Sequence, residues 1–243
     1  MIERPNLWQI PQPDKAVLEN LAYKKELLLQ RLRQIEDSHS QVRFASSLAA
    51  EDMLITDLIA RHGLNIGIFT LDTGLLPQET LDLLKLIERT YPDLKLIRFQ
   101  PNRAQTQNFI TEQGAQAYYE SVELRRRCCF LRKIEPLNRA LNGADAWLTG
   151  QRREQSTTRS ELAFAERDNA RNMDKYNPIF DWSEREVWAY ILQQGVPYNR
   201  LYQQGYPSIG CDPCTRPIKQ GEDIRAGRWW WENKDSKECG LHK

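Results

Sequence analysis

The sequence lacks two features that would assign a function class directly. Its 243 residues contain no uninterrupted apolar run of about 18 residues, the length that a membrane-spanning helix needs. Its formal net charge is only +1, so no surface-wide attraction to a polyanion is indicated. We also find no internal repeat and no low-complexity tract. These absences predict a globular protein with neither a membrane nor a nucleic acid as partner, in which any anion site is a local cluster of cations.

The sequence also does not indicate a secreted protein held together by disulfide bonds. Residues 1–13 carry scattered prolines and no apolar stretch typical of a secretory signal. The cysteines number five, an odd count, and two of them are adjacent, which suits a disulfide framework badly. We therefore expect an untargeted cytoplasmic protein, because a reducing compartment keeps thiols available as metal ligands or nucleophiles.

Short apolar segments alternate with helical patterns along the chain. Strands are predicted at residues 42–45, 66–71, 94–99 and 146–149, and helices at 18–35, 52–61, 80–91, 130–141 and 182–194. Residues 151–172 are polar and turn-rich, which predicts a long functional loop, and regularity fades beyond residue 205. The alternation predicts an α/β fold with a mostly parallel sheet flanked by helices.

Unusual residues follow three of the predicted strands. Ligands of such folds bind beyond the carboxyl ends of the strands, and small residues that open a helix offer N–H groups to an anion. We therefore expect a phosphate-bearing ligand there. The candidate binding residues are Ser46, Ser47 and Leu48 after the first strand, Leu71, Asp72, Thr73 and Gly74 at the second, and Gly150, Arg152 and Arg153 after the fourth.

Four of the cysteines form two pairs, Cys128 with Cys129 and Cys211 with Cys214, which indicates a metal centre. Adjacent side chains diverge by about 100° on a helix, so they converge awkwardly on one zinc ion. The four separate irons of a 4Fe-4S cluster can each take one thiolate. The pattern favours the cluster, with zinc and buried thiols as alternatives, and residues 125–127 and 132–133 supply cations that would offset the thiolate charge.

The fifth cysteine, Cys239, is a candidate nucleophile. Arg225, Arg228 and His242 are close to it in sequence, and nearby cations make a thiol more acidic and more reactive. The alternative interpretation is an ordinary thiol near the end of the chain.

Four motifs together resemble a known family. They are C-C-x-x-R-K-x-x-P-L from Cys128, S-I-G-C-x-x-C-T from Ser208, G-E-x-x-R-A-G-R-W-W-W-E from Gly221 and E-C-G-L-H from Glu238. The sequence resembles the assimilatory sulfonucleotide reductases, and within them the iron-sulfur branch, the thioredoxin-dependent adenylyl-sulfate (APS) reductases. The likeness spans residues 44–242.

The resemblance implies an adenine nucleotide α hydrolase-like sheet, with a first loop modified from a pyrophosphatase loop of the pattern S-G-G-x-D-S. Ser47 and Leu48 replace both glycines of that pattern, which fits a protein that holds a nucleotide without cleaving ATP. The implied organisation is an N-terminal helical segment (1–40), a nucleotide-binding α/β domain with the iron-sulfur site (41–218) and a catalytic tail (219–243). A homo-oligomer is expected.

The implied chemistry is attack of the Cys239 thiolate on the sulfur of APS, with AMP leaving and an S-sulfocysteine formed. Thioredoxin, or a glutaredoxin-like reductant, then releases sulfite. Lys133, Arg225, Arg228 and His242 are expected around the sulfate, and Arg152 and Arg153 over the phosphates. The cluster is expected to organise the site through Lys133 without passing electrons.

Three alternatives stay open at this stage. One is a reductase of the 3'-phosphorylated substrate or of both nucleotides, with residues 125–127 binding the extra phosphate. Another is an ATP-cleaving pyrophosphatase such as an ATP sulfurylase subunit. The last is a non-enzymatic metal-thiolate module, either structural or a sensor. Tryptophans 229–231 are interpreted as packing the tail onto the domain, with contact to thioredoxin as the second interpretation.

Overall fold

A computed structural model of the chain describes residues 6–156 and 159–233. Its α-helices are Lys15–Ser38 (α1), Ala50–His62 (α2), Gln78–Thr90 (α3), Arg103–Gln113 (α4), Val122–Cys129 (α5), Glu135–Leu141 (α6) and Glu184–Gln194 (α7). Its strands are Val42–Ala45 (β1), Gly67–Leu71 (β2), Leu96–Phe99 (β3), Ala146–Leu148 (β4), Ala165–Asp168 (β5) and Met173–Tyr176 (β6). None of the helices described is long and apolar enough to cross a membrane.

The strands form one sheet in the order β3-β2-β1-β4-β6-β5. All neighbours are parallel except β5, which pairs antiparallel with β6. From β1 the chain adds β2 and β3 on one side of the sheet and later adds β4 on the other side. The strand order therefore reverses between β1 and β4. This is where an open α/β sheet forms a crevice at the carboxyl ends of its strands. The predicted α/β fold is confirmed.

The main hydrophobic core joins α1, α2 and α7 to one face of the sheet. One polar network lies inside it. Asp57 on α2 is fully buried and accepts hydrogen bonds from the hydroxyls of Tyr91 (2.6 Å) and Tyr190 (2.7 Å) and from Nε of Arg61 (2.7 Å). The network joins α2 to the end of α3 and to α7, so it fixes the helix whose first turn faces the crevice.

The structure corrects the sequence prediction at three places. Residues 151–172 were expected to be loop, but β5 lies within them and pairs with β6 as a hairpin. The helices α4 and α5 were not predicted, because their apolar spacing is weak and α5 is mostly arginine and cysteine. The predicted helix at 130–141 begins with a π-helical turn at Phe130–Ile134, and the regular helix α6 starts after it.

The first described residues are tied to the segment that follows the second cysteine pair. Leu7 forms an antiparallel bridge with Lys219, and the Trp8 amide donates to the carbonyl of Ile218 (3.0 Å). A second bridge joins Thr215 to Arg228. The first bridge ties residues 215–228 to the start of the described chain, and the second closes this segment on itself.

Candidate active site beside a four-cysteine site

A cavity of about 250 Å³ lies at the carboxyl ends of β1, β2 and β4. One part of its wall is apolar and includes Ala45, Phe69 and Leu71. Another part is polar and comes from the loops that follow β1 and β4. Another wall is formed by residues 207–211 and 224–229, and the bridge between Thr215 and Arg228 holds the second of these stretches. An apolar wall with a few polar groups opposite it is typical of a site for a small molecule or a cofactor.

The loop after β1 is held in an unusual conformation. Leu48 has φ +64, which is uncommon for a residue with a side chain, while that side chain is 2% exposed and packs in the main core. The Leu48 amide donates to the Ser46 hydroxyl (3.3 Å). Core packing therefore stabilises a backbone turn that aims the first turn of α2 at the cavity.

Asp52 joins the loop after β1 to the loop after β4. Its Oδ2 accepts from the amide and the hydroxyl of Ser47, both at 2.6 Å, and it also accepts from the Gly150 amide. Burial raises the pKa of Asp52 to about 7, and the Glu51 charge adds to this rise against the Ser47 hydrogen bonds. The carboxylate is therefore a buried clamp between two loops that line the cavity.

Three cations predicted from the sequence lie around this cavity: Lys133, Arg225 and Arg228. The Arg228 guanidinium donates to the carbonyl of Ile209 (3.2 Å) and approaches the Ser208 hydroxyl (3.5 Å), which orients it along the wall. Arg159, which was not predicted, lines the same cavity from the segment after β4. Clustered cations at an apolar cavity provide for an anionic ligand of high charge.

The candidate binding residues divide into two groups. Ser46, Ser47, Leu71, Thr73 and Gly150 line the cavity together with the three cations. Leu48, Asp72, Gly74, Arg152 and Arg153 do not appear in its wall. Direct contact of these five with a ligand therefore stays a prediction that the geometry does not support.

Each residue of the second group has contacts elsewhere. Asp72 accepts from Arg98 (2.8 Å), from Gln100 (2.9 Å) and from the Gly74 amide (3.1 Å), and so shapes the turn after β2. The Nε of Arg153 donates to the carbonyl of Leu162 (2.8 Å). These contacts support the walls of the cavity from behind.

Arg152 is 1% exposed and is bound to carboxylates of the protein itself. Its guanidinium lies 2.7 Å from Glu51 Oε1 and 3.1 Å from Glu154 Oε2. Burial would raise the pKa of Glu51, but the Arg152 charge and the hydrogen bonds that Glu51 accepts together outweigh it and hold that pKa below its usual value. Glu51 thus stays ionised beside the cavity, and Arg152 positions it.

Two further cavity residues had no sequence signal. Tyr202 is buried in a short 3-10 helix, in a region where the sequence shows no periodicity. Arg159 lies in a turn-rich stretch, where nothing distinguishes it from a surface arginine. Only the tertiary fold brings either one to the ends of the strands.

The four paired cysteines line a second, small cavity. Cys128 and Cys129 end α5, Cys211 and Cys214 flank a short 3-10 turn, and all four are buried. Among the residues described, no three His, Cys, Asp or Glu side chains converge as ligands of a single metal ion. Four buried thiols that line one cavity are a complete ligand set for a 4Fe-4S cluster, and equally for one zinc ion.

Polar groups are directed at these sulfurs from several sides. The Thr73 hydroxyl lies 3.2 Å from Cys211 Sγ, and Arg125 and Arg132 are hydrogen-bonded to Cys129 and Cys128. Burial, with neighbouring sulfurs, raises the pKa of Cys128 to about 11 and that of Cys214 to about 12. Thiols in this environment ionise readily only when a bound cation replaces their protons.

An indole N–H beside the four cysteines favours an iron-sulfur cluster. Trp229 is 1% exposed, lines the four-cysteine cavity, and has a buried Nε1 without a hydrogen-bond partner among the described residues. A buried donor of this kind is rare and suits an acceptor such as a sulfide. The donor set and the polar groups around it therefore fit an iron-sulfur cluster.

The two cavities share a wall. Lys133, Cys211 and Trp229 line both of them. The π-helical turn Phe130–Ile134 follows the adjacent cysteines directly and carries Lys133, and such turns often occur at functional sites. A centre held by the four cysteines would thus contact the same cation that faces the nucleotide-sized cavity.

The start of the tail is fixed at this shared wall. Arg125 and Glu232 form a buried ion pair with Nε–Oε1 at 2.6 Å, and the Arg125 guanidinium lies 4.6 Å from the Trp229 ring centre. Trp231 lies edge-on to Tyr119 with ring centres 4.5 Å apart. This is the packing role that the sequence analysis preferred for the tryptophans. Cys239 and His242 lie outside the described residues.

The fold and the site define a class: an α/β protein with a cation-lined cavity at the carboxyl ends of a mostly parallel sheet and four buried cysteines beside it. Residues 41–217 match the model of the phosphoadenosine phosphosulfate reductase domain. The chain belongs to this family.

Relatives match over most of their length. The chain is 66% identical over 242 residues to an adenosine 5'-phosphosulfate reductase of Neisseria meningitidis serogroup A, covering 100% of this chain and 99% of the relative. It is 53% identical over 218 residues to an adenosine 5'-phosphosulfate reductase of Allochromatium vinosum, covering 90% of this chain and 83% of the relative.

Solved structures agree on the fold. A crystal structure of the phosphoadenylyl-sulfate (PAPS) reductase of Candida auris, in complex with phosphate, superimposes with a TM-score of 0.68 at 25% identity, covering 86% of this chain and 100% of that one. Yeast FAD synthetase in complex with FAD superimposes with a TM-score of 0.54 at 18% identity, covering 86% and 70%. The second likeness shows the fold alone.

Proposed function

We propose that this protein reduces adenosine 5'-phosphosulfate to sulfite and AMP in sulfate assimilation, using Cys239 as the nucleophile. The observation that carries the proposal is the shared wall. A nucleotide-sized cavity and a four-cysteine site meet at Lys133, Cys211 and Trp229, in a chain whose full-length relatives are named adenosine 5'-phosphosulfate reductase.

The first step transfers the sulfonate group from APS to the protein. The Cys239 thiolate attacks the sulfur of APS, a sulfur–sulfur bond forms, and the sulfur–oxygen bond to the phosphate breaks. The electron pair of the broken bond leaves with AMP. AMP is a good leaving group, so the protein need not supply a strong acid.

The second step is reductive. A dithiol such as thioredoxin attacks Cys239 Sγ, and sulfite leaves with the electron pair of the sulfur–sulfur bond. The second thiol of the reductant then closes its disulfide and frees the Cys239 thiolate. The reductant supplies both electrons, so no other redox partner is needed for balance.

The described residues have separate roles in this sequence of steps. The loop after β1 and the clamp at Asp52 hold the phosphate end of the nucleotide. Lys133, Arg225 and Arg228 neutralise the negative charge of the sulfate and phosphate as the bond breaks, which is commonly the largest catalytic term. The apolar wall at Ala45, Phe69 and Leu71 receives the adenine.

The position of the tail supports the role of Cys239. Glu232 is anchored by Arg125 next to the shared wall, and Cys239 follows seven residues later. At about 3.3–3.6 Å per residue, this spacing limits the distance between the two Cα atoms to roughly 25 Å. The length of the chain between them therefore permits Cys239 to reach the cavity.

We assign a 4Fe-4S cluster to Cys128, Cys129, Cys211 and Cys214. The four buried thiols around one cavity, the unpartnered Trp229 N–H and the contact of Thr73 with Cys211 support it. When bound, the cluster would fix the four thiolates and place their charge beside Lys133. Free thiols of this kind also suit the cytoplasm, because its thiol buffers keep cysteines reduced. Assembly of the chain into a homo-oligomer stays a prediction.

The proposal is tested with anaerobically purified protein. Iron and acid-labile sulfide should be present in equal amounts at four atoms each per chain, and APS with reduced thioredoxin should yield sulfite and AMP in equal amounts. Cys239→Ser should keep the iron and lose sulfite release, whereas Cys211→Ser should lose the iron. Sulfite release by Cys239→Ser would refute the nucleophile, and colourless protein with zinc would refute the cluster.

The same assay decides the nucleotide. At low substrate concentration APS should be turned over faster than its 3'-phosphorylated form. Arg125, one of the cations suggested for a 3'-phosphate, is buried and bound to Glu232, so it does not provide that site. Preferential turnover of the 3'-phosphorylated nucleotide would contradict the proposed substrate.

A further inference from the structure

Tyr202 is held rigidly in the wall of the nucleotide-sized cavity. It lies in the 3-10 helix Arg200–Gln204, is 2% exposed, and lines the cavity next to the loop after β1. Its ring packs edge-on against Trp188, with ring centres 4.8 Å apart, and Trp8 lies on another side at 6.2 Å. The phenol is thus fixed in one orientation by aromatic neighbours.

The Tyr202 hydroxyl has only half of its hydrogen-bonding capacity in use. Its oxygen accepts from the Ala50 amide at 2.9 Å, at the first residue of α2. Among the residues described, none accepts the hydroxyl proton. Buried hydroxyls in proteins normally donate as well as accept, so this donor requires an acceptor that the described residues do not provide.

The two nearest carboxylates are already engaged. Glu51 is bound to Arg152 at 2.7 Å, and Asp52 to Ser47 at 2.6 Å. Burial, together with the Glu51 charge, raises the pKa of Tyr202 well above its usual value. The phenol therefore keeps its proton at physiological pH and is a permanent donor at the cavity wall.

Its location indicates which part of a ligand it meets. Tyr202 touches the first turn of α2, where the helix dipole favours negative charge, and the small residues Ser46, Ser47 and Ala49 line the cavity there. Lys133 and Arg228 lie on the other side, within electrostatic range of Cys214. The tyrosine is therefore at the loop side of the cavity, and the cations are at the cysteine side.

We propose that Tyr202 is a substrate-binding residue whose hydroxyl donates to an oxygen of the nucleotide 5'-phosphate while it accepts from the Ala50 amide. The phenol then extends the N-terminus of α2 by one hydrogen bond, and each bond of such a chain polarises the next. This inference rests on the proposed function, because it requires an adenine nucleotide in the cavity.

The test compares AMP with adenosine, which lacks the phosphate. Calorimetric titrations would use the full-length, anaerobically purified protein and its variants Tyr202→Phe and Tyr198→Phe. Tyr198 is the matched control, because it also packs edge-on against Trp188 but its hydroxyl accepts from Gln203 at the surface, away from the cavity. Thermal melting checks that each variant is folded.

We expect Tyr202→Phe to weaken AMP binding by about 10- to 100-fold, the range for a lost hydrogen bond to a charged group. Adenosine affinity should stay within about twofold, and Tyr198→Phe should bind both ligands like the parent. If Tyr202→Phe is too unstable to purify, Tyr202→Met fills a similar volume without a hydroxyl and should show the same loss of the AMP preference.

Two outcomes would overturn the inference. AMP affinity unchanged in the hydroxyl-free variant would show that the phosphate does not meet Tyr202, and equal losses for AMP and adenosine would assign the residue a purely structural role. Failure of the proposed function gives a different result: the parent protein would release no sulfite from APS, whether or not the hydroxyl-free variant loses its preference for AMP.

Discussion

Gly150→Ala tests whether the clamp between the two loops controls nucleotide binding. Gly150 follows β4, and its amide is one of the donors to Asp52. A Cβ at this position would lie 2.0 Å from Asp52 Oδ1 and 3.2 Å from the Cβ of Glu51. Since non-bonded carbon and oxygen atoms need more than 3 Å, Asp52 has to move by about 1 Å.

The magnitude follows from the contacts that Asp52 would lose. It accepts two hydrogen bonds of 2.6 Å from Ser47, and such a bond contributes about 0.5–3 kcal/mol, with the upper part of the range for the ionised carboxylate. Partial loss of the pair should cost roughly 2 kcal/mol in the preorganisation of the loop. At 1.4 kcal/mol per tenfold, AMP and APS should bind about 30-fold more weakly.

The assay is calorimetric titration with AMP and measurement of kcat/KM for APS. Gly67→Ala is the matched control, because Gly67 lies in β2 and the nearest atom to an added Cβ is 3.6 Å away, an ordinary contact. Iron content should be unchanged in both variants. If Gly150→Ala binds AMP within about threefold of the control, Asp52 does not position the nucleotide loop and the reasoning is wrong.

Three further predictions concern the cation wall, the core and the pH dependence. In Gly210→Ala the added Cβ would lie 2.3 Å from Nη2 of Arg228, so the guanidinium should be displaced. The kcat/KM for APS should then fall at least tenfold with iron content unchanged. Unaltered kinetics would exclude a role for Arg228. Asp57→Asn should lower the free energy of unfolding by about 2–4 kcal/mol, because the new side-chain NH2 group would face the buried hydroxyl donors of Tyr91 and Tyr190. The Tm should then fall by roughly 4–16 °C while AMP affinity is retained. An unchanged Tm would contradict this prediction. Burial raises the pKa of Glu184 from 4.5 to about 7, so the folded protein retains a proton that the unfolded chain loses, and stability falls as the pH rises through this range. The unfolding free energy of the parent minus that of Glu184→Gln should therefore fall by roughly 1–2 kcal/mol between about pH 5.5 and 8.5. A difference that stays constant over this range would refute the raised pKa of Glu184.

The strand positions could be predicted from the sequence because β1, β2 and β4 are short apolar runs bounded by turn residues. β5 could not, since its sequence, Ala-Glu-Arg-Asp, is polar and it is an edge strand paired on one side only. The extended conformation of this segment is determined by its hydrogen bonds with β6, because its own residues have no preference for a strand. The same holds for α5, which forms around arginines and cysteines whose partners come from distant parts of the chain.

The site was predictable where residue type alone restricts the chemistry. Four cysteines in two pairs and small residues after strand ends indicate a metal centre and an anion loop, and the structure gathers them at two adjacent cavities. The roles of the arginines were harder to predict, because a sequence does not show which guanidinium faces a ligand and which is bound to a carboxylate of the protein itself. Arg152 is the clearest example, since its partner Glu51 lies in the first turn of α2, 101 residues away in the sequence.

The most direct test of the account is the mass of the protein after it is mixed with APS in the absence of a reductant. We expect one SO3 group per chain on Cys239, released as sulfite when reduced thioredoxin is added, and no adduct in Cys239→Ser. A parent protein that turns over APS without gaining this mass, or an adduct on any other cysteine, would contradict the division between four ligand thiols and one reactive thiol.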